Sequence, residues 1–547
     1  MTKCLEVDAV VVGAGLGGIY AVHKLREMGL NVVGLERASG VGGVWRHNGY
    51  PGSRVDLPSY VYSYHFSPEI YREWRWSEHY SAQPELLRYL EFVADRLSVT
   101  EHFRFNTPML SAEWRPKIAR YHVRAGGDLE ISTRFLVMAT GNLSYPRDVP
   151  FPGAERFRGD IAISSRWPER EIQFEGRRVA VVGTGSSGVQ SASALAGKAS
   201  HLYVFQRTPH YCVPSRNGPM NVEQYEAVAA DSLAHRATLW RSSRWKRLSN
   251  VTPKRALECT REEQLERLER QWRLGGHGIQ VVFTDQLADT RANEVVAEFV
   301  RNKIRETVKD PAIAEKLIPS YPIGIKRISI DDGYYEIFNR PDVSLVDMVN
   351  DPIQEFTETG IRTRDREYEV DVIILALGFK AFRGELDAAN IRNEHGLPYT
   401  NRWDRGPQTL LGLMTAGFPN LFVLTGPGSP SVQANLFLQN EYHVEWLVKC
   451  FEYMAAHGHE TIEPGLEAQE RWSDLVTQNA NEAVPIRVLN NNYLVHVNDD
   501  GTRAFIPYVG FDKYIEIADR VAANGYEGFK FEAAPAQAGS ARMLSSV

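Results

Sequence analysis

Two glycine-rich loops, Gly13-Ala-Gly15-Leu-Gly17-Gly18 and Gly183-Thr-Gly185-Ser186-Ser187-Gly188, each stand between an apolar strand-like run and a helix-like run. In that setting Gly-x-Gly-x-x-Gly folds as a turn that lets backbone approach a pyrophosphate and aims a helix N-terminus at it. One such loop is weak evidence, because glycines also mark ordinary turns. Two, each in the right setting, commit the chain to an α/β architecture with two Rossmann-like dinucleotide-binding domains. The first follows Ala9-Val-Val-Val12 and precedes a helical stretch from Ile19 to Met28; the second follows Val179-Ala-Val-Val182.

The residue that ends the next strand differs between the two units. After the first loop, Asn31 to Leu35 ends on Glu36, whose carboxylate accepts hydrogen bonds from free ribose hydroxyls, as in FAD or NAD. After the second, His201 to Phe205 runs into Gln206-Arg207-Thr208. A guanidinium and a hydroxyl suit a 2′-phosphate, so this site reads as NADPH.

At 547 residues the chain exceeds one core and predicts two or three domains. A net charge of −6 with scattered basic residues gives no sign of nucleic acid or an anionic membrane as partner. Cys4, Cys212, Cys259 and Cys450 lie far apart without C-x-x-C spacing, which speaks for a reducing compartment and against a metal centre. His457-Gly-His459-Glu460 reads as a solvated helix end. The first strand begins by Asp8, leaving no room for a signal peptide, and no apolar run approaches the ~18 residues of a membrane span, so a cytoplasmic protein is expected.

The pattern divides the chain into 1–150 and 381–547, two parts of a first nucleotide-binding domain, and 151–220 and 321–380, two parts of a second. A helical insertion at 221–320 is charged and helically spaced, as in Arg261-Glu-Glu-Gln-Leu-Glu-Arg-Leu. Ala139-Thr140-Gly141 and Ala376-Leu377-Gly378 end apolar runs in the two units, and small residues there let the chain leave a parallel sheet close to a dinucleotide. Proline-containing joints at Pro146 to Pro152 and around Ala381 to Glu385 mark the crossings, and the Ala-, Gly- and Ser-rich end from Ala533 is expected to be loose.

Disulfide reductases also carry two dinucleotides, but they place a cysteine pair shortly after the first unit, and this chain has no cysteine between Cys4 and Cys212. Gly42-Gly43-Val-Trp45-Arg-His-Asn-Gly-Tyr50-Pro51-Gly52-Ser-Arg54-Val-Asp56 stands there instead. That stretch resembles the flavin-domain signature of Baeyer–Villiger monooxygenases, Gly-Gly-x-Trp followed by Tyr-Pro-Gly and an Asp. The resemblance continues through Ala139 to Pro146, Phe205 to Thr208, Lys326-Arg327, Gly333 to Arg340 and Gly510.

The resemblance implies an FAD- and NADPH-dependent monooxygenase whose flavin C4a-peroxide inserts one oxygen next to a ketone carbonyl, giving an ester or lactone. It makes Arg327 and Asp56 the catalytic pair: a cation beside the peroxide and the carboxylate that orients it. It implies that FAD is held by Gly13, Gly15, Gly18, Glu36, Gly43, Trp45, Tyr50, Asp56 and Thr140. NADPH falls to Gly183, Gly185, Ser186, Ser187, Gly188, Arg207, Thr208 and Lys326. The substrate pocket is expected to draw on Ser431, Asn435, Leu436 and Tyr493. The partners are then a small ketone and dioxygen, with no metal, no nucleic acid and no membrane span.

Two departures keep other outcomes open. The family's linker reads Phe-x-Gly-x-x-x-His-x-x-x-Trp-Pro; here it is Phe157-Arg-Gly159-Asp-Ile-Ala-Ile163-Ser-Ser-Arg-Trp167-Pro168, with isoleucine for histidine. A loop near the C-terminus is replaced by Val488 to Gly501. An N- or S-oxygenating flavin monooxygenase is the alternative, and an uncoupled NADPH oxidase the third reading.

Overall fold

The structure is a computed structural model that describes residues 4–242, 252–482, 494–497, 501 and 503–533. Around the first glycine loop, strand Leu5–Val12 lies inside an eight-stranded sheet. Val32–Leu35 pairs with it in parallel on one side and Leu129–Met138 on the other. Ala9, Val10 and Val11 are fully buried, which is why the strand reads as an unbroken apolar run rather than an alternating one. Met109–Arg115 and Arg120–Ala125 extend the sheet as an antiparallel meander. Leu421–Val423 returns from the C-terminal part of the chain to lie parallel to Leu129–Met138, with Leu421 opposite Leu136.

The second glycine loop sits on a five-stranded, wholly parallel sheet. Its order is Val343–Asp347, His201–Gln206, Arg178–Val182, Val372–Leu375 and Asp160–Ile163. The fold is therefore α/β with two Rossmann-like units. Between the neighbouring strands His201–Gln206 and Val343–Asp347 the chain is mainly helical. Its helices include Val222–Ala230, Ser232–Trp240, Arg261–Leu274, Thr290–Thr307 and Pro311–Leu317. A capping box of Thr260 and Glu263 opens Arg261–Leu274, and the Asp289 side chain caps Thr290–Thr307.

The two loops are built alike. An added Cβ on Gly18 would stand 1.8 Å from the Gly13 carbonyl oxygen, and one on Gly188 would stand 1.9 Å from that of Gly183. Gly13 and Gly183 have φ of 105° and 110°. Their Cβ positions would run into the carbonyls of Ala139 and Ala376, at 2.6 and 2.5 Å. The strand ends read as small-residue exits are thus the surfaces against which each loop is seated.

Helix Leu16–Glu27 begins three residues earlier than the spacing suggested, with Gly17 and Gly18 in its first turn. The helix Leu436–His457 stops at Gly458, which is left-handed with φ 67°, and strand His459–Pro464 follows. No helix among the described residues is long and apolar enough to cross a membrane, and no group of His, Cys, Asp or Glu there is placed to hold a metal.

Candidate active site

The first glycine loop opens onto a cavity of about 480 Å³, a size that suits a bound cofactor. Gly13, Gly15, Glu36, Gly43, Trp45, Tyr50, Thr140 and Leu436 all line it. Helix Leu16–Glu27 has no side-chain cap and no acidic residue in its first turn, so its N-terminal N–H groups remain available to an anion. Glu36 Oε2 accepts from Ala14 N and Oε1 from Ala38 N, both at 2.7 Å. Those bonds fix the carboxylate at the cavity wall while each oxygen keeps a lone pair for a ribose hydroxyl. Gly43 closes on Gly15, where a Cβ would lie 2.8 Å from the Gly15 Cα. Asn48, on the same wall, has a buried Oδ1 with no protein partner. A narrow glycine cradle, a fixed acceptor and an unused buried acceptor together fit the adenosine and pyrophosphate of FAD.

Trp45 and Tyr50 are held rather than loose. Trp45 Nε1 donates to the Tyr62 hydroxyl at 3.2 Å, with the rings edge to face. Tyr50 is buried and donates to Gln190 Oε1 at 2.8 Å. Gly18 does not line the cavity; its place is the contact with Gly13.

At the second loop, Gly185 is the N-cap of helix Ser186–Leu195, again without a side-chain cap or first-turn acid. The Ser186 hydroxyl accepts a hydrogen bond from Ser329 Oγ at 3.1 Å, and Thr184 Oγ1 donates to the Thr208 carbonyl at 2.8 Å. Arg207 is exposed just past the strand end. Lys326 lies over the Tyr321 ring at 4.9 Å, and burial, then the Arg207 charge, depresses its ammonium below the usual range. Two like charges are thus brought together, and among the described residues no ion pair joins either to a carboxylate. That arrangement suits the 2′-phosphate of NADPH.

Arg327 and Asp56, distant in sequence, meet in a two-pronged pair. Arg327 Nη2 donates to Asp56 Oδ1 at 2.7 Å and its Nε donates to Oδ2. Arg327 Nη1 also donates to the Val432 carbonyl at 3.1 Å, so the guanidinium joins the two nucleotide units to the segment after Gly428. Burial pushes the Asp56 carboxyl up, but the Arg327 charge and hydrogen bonding from His277 and Arg327 outweigh it and hold the group well below the usual carboxylate range. His277 and Gln280, from the helical insertion, were not among the residues expected here. No local motif points to them, because the contact exists only once the insertion folds over Asp56.

The expected substrate residues divide. Leu436 lines the cavity, as does Val432. Ser431 is fully buried, and its hydroxyl accepts from Asn142 Nδ2 at 2.8 Å. Asn435 caps helix Leu436–His457, accepting from Phe437 N, and donates to the Val61 carbonyl at 2.7 Å. The side chains of Ser431 and Asn435 are therefore engaged by protein, and Tyr493 lies outside the described residues. Ile163 ends strand Asp160–Ile163 opposite Leu375. The linker beyond it is tied by the Trp167 N–H, which donates to the His47 carbonyl at 2.8 Å.

The family model described as pyridine nucleotide-disulphide oxidoreductase matches residues 7–231. A protein of Pseudooceanicola batsensis named Baeyer-Villiger monooxygenase is 38% identical over 85% of this chain and 86% of its own length. A solved structure of an oxidised steroid monooxygenase bound to NADP is 44% identical, with a TM-score of 0.90 over 96% of this chain and 99% of that one. A complex of the enzyme OTEMO with FAD and NADP is 36% identical, with a TM-score of 0.92 over 97% of this chain and 100% of that one. With its two nucleotide sites and its likeness along nearly the whole length, the chain belongs to the Baeyer–Villiger monooxygenases, which use FAD and NADPH.

Proposed function

We propose that the protein inserts one oxygen atom beside the carbonyl of a cyclic ketone, and that Arg327, gripped by Asp56, supplies the fixed positive charge this transfer needs. The two-pronged Arg327–Asp56 pair carries the reading. Bound FAD would supply the redox chemistry, in which two electrons from NADPH and a proton reduce dioxygen so that one oxygen atom goes to the substrate and the other leaves as water. The chain's own residues do the rest. Arg327 keeps its proton at any working pH, and Asp56 stays ionised because the guanidinium holds it so, giving an oriented cation that is bonded to Val432 of the cavity wall. Val432, whose carbonyl accepts from Arg327, and Leu436 add apolar side chains to the cavity wall. The steroid monooxygenase among the structural neighbours supports a cyclic substrate, and a polycyclic one fits the same reading.

Replacing Arg327 by Ala tests this. FAD uptake and flavin reduction by NADPH should stay close to the native level, while oxygenated product falls by at least about a hundredfold and hydrogen peroxide takes its place. A normal product yield would remove Arg327 from the chemistry. A native enzyme that gives only N- or S-oxides across a panel of ketones, amines and sulfides would replace the ketone reading.

A further inference from the structure

The helical insertion reaches Asp56 through a two-glycine turn. Helix Arg261–Leu274 stops at Gly275, and Gly275 and Gly276 have φ of 75° and 66°. A Cβ on Gly275 would stand 2.7 Å from the Pro214 carbonyl, and one on Gly276 would stand 2.5 Å from the Tyr80 hydroxyl. The turn is closed on both sides, and the next residue, His277, is buried with its Nε2 3.3 Å from Asp56 Oδ2. Behind it, the Gln280 amide lies 2.8 Å from His277 Nδ1.

These contacts assign a tautomer. Asp56 is paired with a guanidinium and has no proton to give, so the ring nitrogen facing it carries the hydrogen. In a neutral ring the other nitrogen is then an acceptor, and the Gln280 amide nitrogen satisfies it. Oδ2 is the oxygen that also takes Arg327 Nε, so His277 approaches the shared edge of the ion pair rather than its far side. A carboxylate held only by Arg327 would follow that side chain wherever it went. The approach of His277 Nε2 from the insertion, at ion-pair distance, gives it a second neighbour.

We propose that His277, backed by Gln280, is a positioning residue of the oxygen-transfer site: its Nε2–H face steadies Asp56 in the orientation that grips Arg327 with both carboxylate oxygens. This rests on the reading of Arg327 as the charge that supports oxygen transfer. His277 does not line the cavity and faces Asp56, so it acts through that carboxylate, in the way outer residues orient the groups that do the chemistry. It also gives the insertion a part in the reaction: a shift of the Gly275-Gly276 turn changes how firmly the guanidinium is aimed.

The test compares His277→Phe and His277→Gln in the holoenzyme. Gln keeps an amide N–H near the position of Nε2, and Phe keeps only the shape. The Phe variant should bind NADP+ with native Kd and oxidise NADPH, while its ratio of product to hydrogen peroxide falls about tenfold, as for loss of a hydrogen bond to a charged group. Gln should restore most of that ratio. In an Asp56→Asn background, His277→Phe should add nothing further. Independently of turnover, ring nitrogen shifts of 15N-histidine-labelled native protein should show His277 protonated at Nε2 and not at Nδ1.

A Phe variant with native coupling, a Gln variant that fails to rescue, or an Nδ1-protonated ring would each overturn the proposal. If Phe prevents folding, the Gln variant and the labelled native protein still decide it. Failure of the underlying reading shows differently, as normal product from Arg327→Ala. Loss of product in Arg327→Ala with native coupling in both His277 variants removes only His277.

Discussion

The Tyr50 hydroxyl donates to Gln190 Oε1 at 2.8 Å, bonding the flavin-side signature to the helix that opens on the second glycine loop. Gln190 Nε2 returns a bond of 3.2 Å to the Arg54 carbonyl. Between them sits Gly52, with φ 79° and an ideal Cβ only 2.4 Å from the Gln190 carbonyl oxygen. The Tyr-Pro-Gly stretch is therefore also the seam between the two nucleotide units, and hydride transfer across that seam depends on its closeness.

Gly52→Ala should push helix Ser186–Leu195 away. The left-handed backbone and the contact with main chain both oppose a side chain, together worth about 2–4 kcal/mol. The expected outcome is a lower Tm and slower flavin reduction at saturating NADPH, read by stopped flow. An unchanged Tm and reduction rate would mean that the seam is softer than its contacts indicate.

Arg207 and Lys326 offer two cations to one phosphate. Arg207→Ala should weaken NADPH by about tenfold to a hundredfold, the range of one charge-assisted bond, and leave NADH nearly unchanged. The check is KM for both coenzymes in flavin reduction. Equal losses would move the 2′-phosphate elsewhere.

Much of this was readable in the sequence because it is carried by local pattern. The glycine loops, the buried strands and Glu36 at a strand end each lie within one β–α–β span, and the pairing of Asp56 with Arg327 entered through the resemblance. Asn435 stands directly before the apolar start of a helix, a readable N-cap signal that accounts for its side chain better than a place in the substrate pocket. The contact of His277 with Asp56 had no such signal. It depends on where a long helical insertion lands, which no periodicity or spacing encodes. The same holds for the Trp167 bond to His47, which ties the linker down without the family's histidine.

That tie bears on Ile163. Its side chain packs in the apolar cluster around Phe205, Phe356 and Leu375, and its carbonyl accepts the Arg166 N–H at 3.0 Å. Ile163→His should give up apolar contact, lowering stability by about 1 kcal/mol, with the ratio of product to hydrogen peroxide unchanged. Titration of both NADPH and peroxide in the variant checks this. A rise in coupling would show that the position carries chemistry that this chain has lost.

His443 ties acid sensitivity to the cavity wall. It is fully buried, its Nδ1 accepts from Thr425 N at 3.0 Å, and its Nε2 lies 2.9 Å from the Tyr514 hydroxyl. The Tyr514 hydroxyl donates to the Leu411 carbonyl at 2.7 Å, so the imidazole supplies the hydrogen between them and is neutral with its proton on Nε2. Burial pushes its pKa down from 6.5 to about 3. A depressed histidine contributes stability that is full above the unfolded value of 6.5 and is lost as pH falls toward 3, because the unfolded chain takes up a proton that the native chain refuses. Within that window the loss is about 1.4 kcal/mol per pH unit, or about 2 kcal/mol between pH 6.5 and 5. His443→Asn keeps an acceptor for Thr425 N and does not titrate. Its Tm at neutral pH should be lower, since the bond to Tyr514 is gone, but the gap in Tm between pH 7 and pH 5 should narrow. His65 and His210, depressed by burial to about 3 and about 4, titrate in the same direction and leave a residual slope in the variant. A gap as wide as that of the native protein would place the acid-sensitive group elsewhere, with those two histidines the next to replace.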